Sequence, residues 1–129
     1  MAKTTALLYL LLIMTTTTLS SAARPRVTIT NNTPLAAEVV CRDESVPFST
    51  YGTKTLNSTN SAYQFSVTHT SATSSCTAYW NTHYFVNWDA FSPGRDRRLK
   101  SVYWSIRQRG VYYSRDRLKW RLQAVWGHE

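Results

Sequence analysis

From Val27 onward the apolar residues recur at every second position. Val27 and Ile29 alternate with Thr28 and Thr30; Tyr63, Phe65 and Val67 with Gln64, Ser66 and Thr68; Val102, Trp104 and Ile106 with Tyr103, Ser105 and Arg107. The clearest run is the last, with Leu118, Trp120, Leu122 and Ala124 set against Lys119, Arg121 and Gln123. Successive side chains of a strand point to opposite faces, so each run predicts a strand with one buried and one wet face. Shorter apolar stretches predict strands at 37–41, 76–80 and 84–88, with a brief one around 111–113. Turn-forming residues separate them at 31–34, 49–52, 57–61, 71–75, 92–94 and 109–110. No stretch repeats its apolar residues at helical spacing. The predicted fold is all-β, an antiparallel β-sandwich of seven or eight short strands.

The first residues follow a different rule. Lys3 precedes an unbroken apolar run over 6–14, and small residues follow up to Ala23. This is the layout of an export signal, with cleavage expected after Ala23 or, almost equally, after Ala22. Nine apolar residues would span about 14 Å of helix, roughly half a bilayer core, so stable membrane insertion is not expected. Residues 1–23 are therefore read as a signal peptide and 24–129 as a single secreted domain, expected to be a monomer. In an oxidising compartment Cys41 and Cys76 predict one disulfide.

Charge is distributed unevenly along the mature chain. Residues 24–94 hold four bases and four acids. Downstream, Arg95, Arg97, Arg98, Lys100, Arg107, Arg109, Arg115, Arg117, Lys119 and Arg121 are countered only by Asp96, Asp116 and Glu129. Such asymmetry points to an acidic partner. Trp80, Trp88, Trp104, Trp120 and Trp126 all lie in the second half of the chain. Aromatics interleaved with bases can form a stacking platform. The phase of Trp80, Trp104 and Trp120 instead places them in the core; Trp88 and Trp126 sit at strand ends.

Catalytic chemistry is weakly represented. His69, His83 and His128 could include an acid and base pair, but none stands in a recognisable nuclease or nucleophile motif. The cysteines lack metal-ligand spacing, and the few carboxylates do not suggest a glycosidase pair. The reading is a non-enzyme with no cofactor, no metal and no nucleic-acid partner. Sequons at Asn31 and Asn57 mark possible glycosylation, with Asn57 the better placed in a polar loop.

The order Val27-Thr28-Ile29-Thr30-Asn31, Cys41-Arg42, Cys76-x-x-x-Trp80, Trp104-Ser105-Ile106-Arg107 and Gly110-Val111-Tyr112 resembles the plant self-incompatibility protein family, the S-protein homologues. The resemblance implies a secreted β-sandwich ligand without a catalytic site, whose hydrophilic loops recognise a receptor on another cell. Two departures stand out. A second cysteine pair common in that family is missing near 99–104 and at Tyr112 or Tyr113, and its acidic Asp-Leu-Gly loop is replaced by Asp43-Glu44-Ser45-Val46-Pro47-Phe48.

The expected partner-binding residues are Arg95, Asp96, Arg97, Arg98 and Lys100 in one loop, with Arg115 and Arg117 in a neighbouring segment. Loops at one end of a rigid sandwich are free to carry recognition. The arginine fork suits carboxylate, sulfate or phosphate. Lying between strands, Arg95, Arg97 and Arg98 are expected to bury little. The functional expectation is a secreted signalling ligand for a cell-surface receptor or other acidic partner. The alternative is a basic defence protein acting on anionic membranes or cell-wall polymers.

Overall fold

The computed structural model describes residues 24–47 and 49–128; the leader expected over residues 1–23 lies outside them. Among the described residues the elements run β1 (Arg26–Asn31), β2 (Ala37–Asp43), β3 (Thr50–Leu56), β4 (Ala62–Ser66), β5 (Ser74–Trp80), β6 (Tyr84–Phe91), a single helical turn α1 (Pro93–Asp96), β7 (Ser101–Arg107), β8 (Gly110–Ser114), β9 (Arg121–Val125) and the two-residue β10 (Gly127–His128). They form two five-stranded sheets, ordered β4-β1-β7-β8-β9 and β10-β6-β5-β2-β3. The all-β sandwich is as expected, but with more strands than the seven or eight read from the sequence. One pairing also departs from the antiparallel rule. Strands β1 and β7 run parallel, from Arg26 opposite Ser101 to Asn31 opposite Ile106.

The core is built from the inward halves of the alternating runs. Val27 and Ile29 of β1 face Val102 and Trp104 of β7 on one side and Phe65 and Tyr63 of β4 on the other. The second sheet contributes Val39, Ala78 and Val86 from three adjacent strands, and all of these side chains are buried. Cys41 and Cys76 stand opposite each other on β2 and β5 and form the expected disulfide, with Cα atoms 4.1 Å apart. Closing a loop of 35 residues stabilises the fold by about 4 kcal/mol in the chain-entropy account. The bridge lies buried beside Trp88, so it staples the core and leaves the surface loops free.

Two readings of the pattern are corrected. Residues 49–52 do not form a turn; from Thr50 they open the edge strand β3, whose solvent-facing residues leave only Leu56 fully buried. Gly52, at φ 106°, lies at a bulge where the β2–β3 register shifts. The run from Leu118 to Ala124 is a strand only from Arg121, and Leu118 is 83% exposed. Trp120 therefore leaves the core, while Trp88, at 6% exposure, joins it.

Candidate partner-binding surface

The loop between β6 and β7 begins with α1, and its first function is internal. Asp96 is fully buried, with its carboxylate accepting hydrogen bonds from the Tyr113 hydroxyl at 2.6 Å, the Ser92 backbone N–H at 2.9 Å and both Nε and Nη2 of Arg95. The Arg95 side chain is 21% exposed. Its guanidinium lies 4.6 Å from the Tyr113 ring centroid and 5.1 Å from that of Trp104, and Nη2 also donates to the Asp89 carbonyl. Burial disfavours ionised tyrosine, and the Asp96 charge adds to it, so the Tyr113 hydroxyl is pushed above its ordinary pKa near 10. Asp96 is thus removed from the expected partner-binding set, and Arg95 reaches the surface only in part. A carboxylate with no exposed surface cannot meet a partner, and Arg95 is committed to the lock that seats the loop.

Three of the remaining expected residues, Arg97, Arg98 and Arg115, do meet. Arg97 and Arg98 are exposed and, with Pro93, Gly94, Leu99 and the part-buried Arg95, share with Arg115 the wall of a hollow of about 270 Å³. Two segments far apart in sequence are thereby joined. Lys100 is exposed next to this hollow in the chain. Arg117 turns elsewhere, its guanidinium 4.3 Å from the Tyr103 ring centroid on the outer face of the first sheet.

The connection from β8 to β9 is shaped by Ser114 and Asp116. The Ser114 Oγ accepts from the N–H groups of Asp116 and Arg117, and Asp116 Oδ1 accepts from those of Leu118 and Lys119. These bonds hold Arg117 at φ 68° and draw the Asp116 carboxyl below its ordinary pKa, chiefly through the Lys119 and Leu118 N–H groups. Asp116 stays ionised but turns to the backbone, and none of Arg115, Arg117 and Lys119 forms an ion pair with it. Among the described residues, Arg42 and Arg95 are the only arginines or lysines in ion pairs.

Trp120, missed as a surface residue by the alternation, packs over that same outer face. Its Nε1 donates to the Arg117 carbonyl, and the Arg107 guanidinium lies between Trp120 at 5.2 Å and Tyr112 at 4.5 Å. The useful signal was the turn chemistry of Ser114 and Asp116, which interrupts the apparent strand before Arg121.

Elsewhere the candidate groups serve the fold. Asp43 is buried at the end of β2. Burial works to raise its pKa, yet hydrogen bonds from Ser45, His69 and Thr68 outweigh it and hold the carboxyl well below the usual range. His69 Nδ1 is tied to that carboxylate, His128 packs on Tyr84, and His83 lies exposed in the β5–β6 turn. Among the described residues no three metal-ligating side chains cluster.

The sequon at Asn31 is corrected. The side chain is fully buried, Nδ2 donates to the carbonyls of Leu35 and Leu56, and Oδ1 accepts from the N–H and hydroxyl of Thr33. No hydrogen is left for a glycan linkage in the folded chain. Asn57 is exposed between β3 and β4.

This arrangement of sheets has a counterpart among solved structures. A Self-Incompatibility Protein Homologue, from what is described as a widespread family of small, highly stable, secreted proteins from plants, matches with a TM-score of 0.62 at 18% identity, over 81% of this chain and 96% of that one. The chain has the fold of a self-incompatibility protein homologue. The fold and the resemblance read from strand order and cysteine position agree. No protein-family model matches the chain, and no curated protein matches it in sequence. In the homologue fold as this chain builds it, the first cysteine reaches its partner within one sheet. The positions near the missing second pair hold Trp104 and Tyr113, with ring centroids 5.0 Å apart.

Proposed function

We propose that the chain is a secreted plant protein of the self-incompatibility homologue kind, acting without catalysis as a ligand for an acidic patch on a cell-surface receptor. The observation that supports this reading is the meeting of Arg97, Arg98 and Arg115 around one hollow, with none of the three in an ion pair among the described residues. Surface cations left uncompensated cost the domain self-repulsion, and they raise the rate of encounter with an anionic partner. The Arg95–Asp96 lock supports the reading further, because a seated loop presents its two exposed arginines with less ordering left to occur on binding. The leader expected over residues 1–23 and the buried disulfide suit an extracellular setting.

The test compares charge at two places. The labelled mature protein is titrated onto intact plant cells, alongside an Arg97→Ser/Arg98→Ser variant and an Arg42→Ser/Lys54→Ser control on the opposite sheet. Apparent affinity is expected to fall by at least about tenfold for the loop pair and by much less for the control. Equal losses, tracking salt concentration alike, would replace receptor recognition with general attraction to anionic surfaces.

A further inference from the structure

The outer face of the sheet β4-β1-β7-β8-β9 is not an ordinary solvated face. Register places Gln64, Thr28, Tyr103 and Ser114 in one cross-strand row, and Ala62, Thr30, Ser105 and Tyr112 in the next. Over these rows Arg107 stacks between Tyr112 and Trp120, and Arg117 stacks on Tyr103. Arg107 is fixed further by its Nε bond to the Ser105 hydroxyl at 3.0 Å, and Ser105 in turn bonds Asn32. The Arg107 guanidinium is therefore set before any ligand arrives, Arg117 rests on the Tyr103 ring, and neither forms an ion pair with a carboxylate among the described residues.

Two hollows of about 650 Å³ and about 330 Å³ share Asn32 and Trp120 in their walls, so they form one trough across the sheet. Volumes of this order suit a ligand of several rings. Besides these two arginines the walls carry Arg109 and the neutral hydroxyls and amides of Thr28, Thr30, Asn32, Gln64 and Gln108. The trough runs mainly over β1 and β7, whose backbone groups are paired on both sides, and meets a sheet edge only at its margin, where Ala62 and Gln64 of β4 line it, so an extended peptide would find little free strand edge there. The aromatic rings are already stacked against guanidinium groups, which leaves less room for nucleic-acid bases than an open stacking platform provides.

The geometry points to a binding trough for an acidic polysaccharide of the polyuronate class. Its carboxylates would take the guanidinium forks of Arg107 and Arg117 as paired charge-assisted hydrogen bonds, and its ring hydroxyls would meet the threonine and amide walls. This site is separate from the hollow of Arg97, Arg98 and Arg115 and does not depend on that hollow binding a receptor.

Calorimetric titration of the secreted protein decides the matter, with oligogalacturonate as the probe and its methyl ester, polyglutamate and oligouridylate as comparisons. Oligogalacturonate should bind, each comparison should bind at least about tenfold more weakly, and Trp120 emission should change with the first alone. Arg107→Lys keeps the charge but loses the fork, and should weaken oligogalacturonate binding by about tenfold; Arg117→Lys repeats the test should the first variant lose stability. Arg97→Ser/Arg98→Ser should leave this affinity unchanged, so failure of the receptor reading and failure of this one give different results. No oligogalacturonate binding, equal binding of any comparison, or unchanged affinity in both lysine variants would overturn the inference.

Discussion

Replacing Asp96 with alanine removes the acceptor of four hydrogen bonds at once. The fully buried carboxylate receives Tyr113, the Ser92 N–H and two nitrogens of Arg95, the shortest contacts being 2.6 Å. Its loss strands a guanidinium that is only 21% exposed and a phenol hydroxyl inside the sandwich. Breaking a buried ion pair from one side costs about 3–5 kcal/mol, against about 5–15 kcal/mol of total stability for a domain of this size. The melting temperature of Asp96→Ala should therefore drop by roughly 15–25 °C, read by circular dichroism. Removing the whole group should cost far less, because apolar residues of similar volume often replace a buried pair at little penalty. The triple variant Arg95→Met/Asp96→Ala/Tyr113→Phe should thus melt well above Asp96→Ala. A single-variant loss under about 1 kcal/mol, or a triple variant no better than the single, would refute the lock.

Three further outcomes follow from other sites. Gly110 has φ 154°, and a Cβ there would lie 2.0 Å from the Ala124 carbonyl oxygen, so Gly110→Ala should destabilise by about 2–4 kcal/mol and loosen β9, measured by urea titration. Asp43 has a folded pKa below its ordinary 3.8, so its contribution is complete above about pH 5 and is lost as pH falls; Asp43→Asn should flatten the decline in melting temperature below about pH 4 and cost about 2–3 kcal/mol at neutral pH. Mass spectrometry of protein secreted from plant cells should find a glycan on Asn57 and none after Asn57→Gln; a glycan remaining on Asn31 would contradict its burial.

How far the sequence could be read depended on where each side chain's neighbours lie. Val27, Ile29, Tyr63, Phe65, Val102, Trp104 and Ile106 showed themselves through alternation, because burying one face of a strand is a local demand. Strand β3 escaped because an edge strand wet on most positions has almost no alternation to show, and its Gly52 reads as a turn. Trp120 escaped for the opposite reason: it continues the period while Ser114 and Asp116 bend the backbone out of the strand. The basic surface was visible as a count of charges, yet the separation of Arg95 from Arg97 and Arg98 depends on a buried aspartate one residue away. Asp96 is committed to Tyr113 across the core, a contact 17 residues distant that no local pattern records. Asn31 fits the sequon equally well whether its amide points to water or to two carbonyls.

The parallel pairing of β1 with β7 carries a consequence for the order of folding. Each sheet contains two pairs of chain neighbours, β2 with β3 and β5 with β6 in one, β7 with β8 and β8 with β9 in the other, which can zip locally. Strand β1 has no such neighbour: its partners β4 and β7 begin at Ala62 and Ser101, so the first strand to emerge waits for most of the domain before it is flanked. Loop closure of that span must be met before the contacts repay it. The trough that joins Thr28 and Thr30 of β1 to Arg107 of β7 thus waits for the most distant pairing in the molecule, and its binding face comes into existence only with the finished fold.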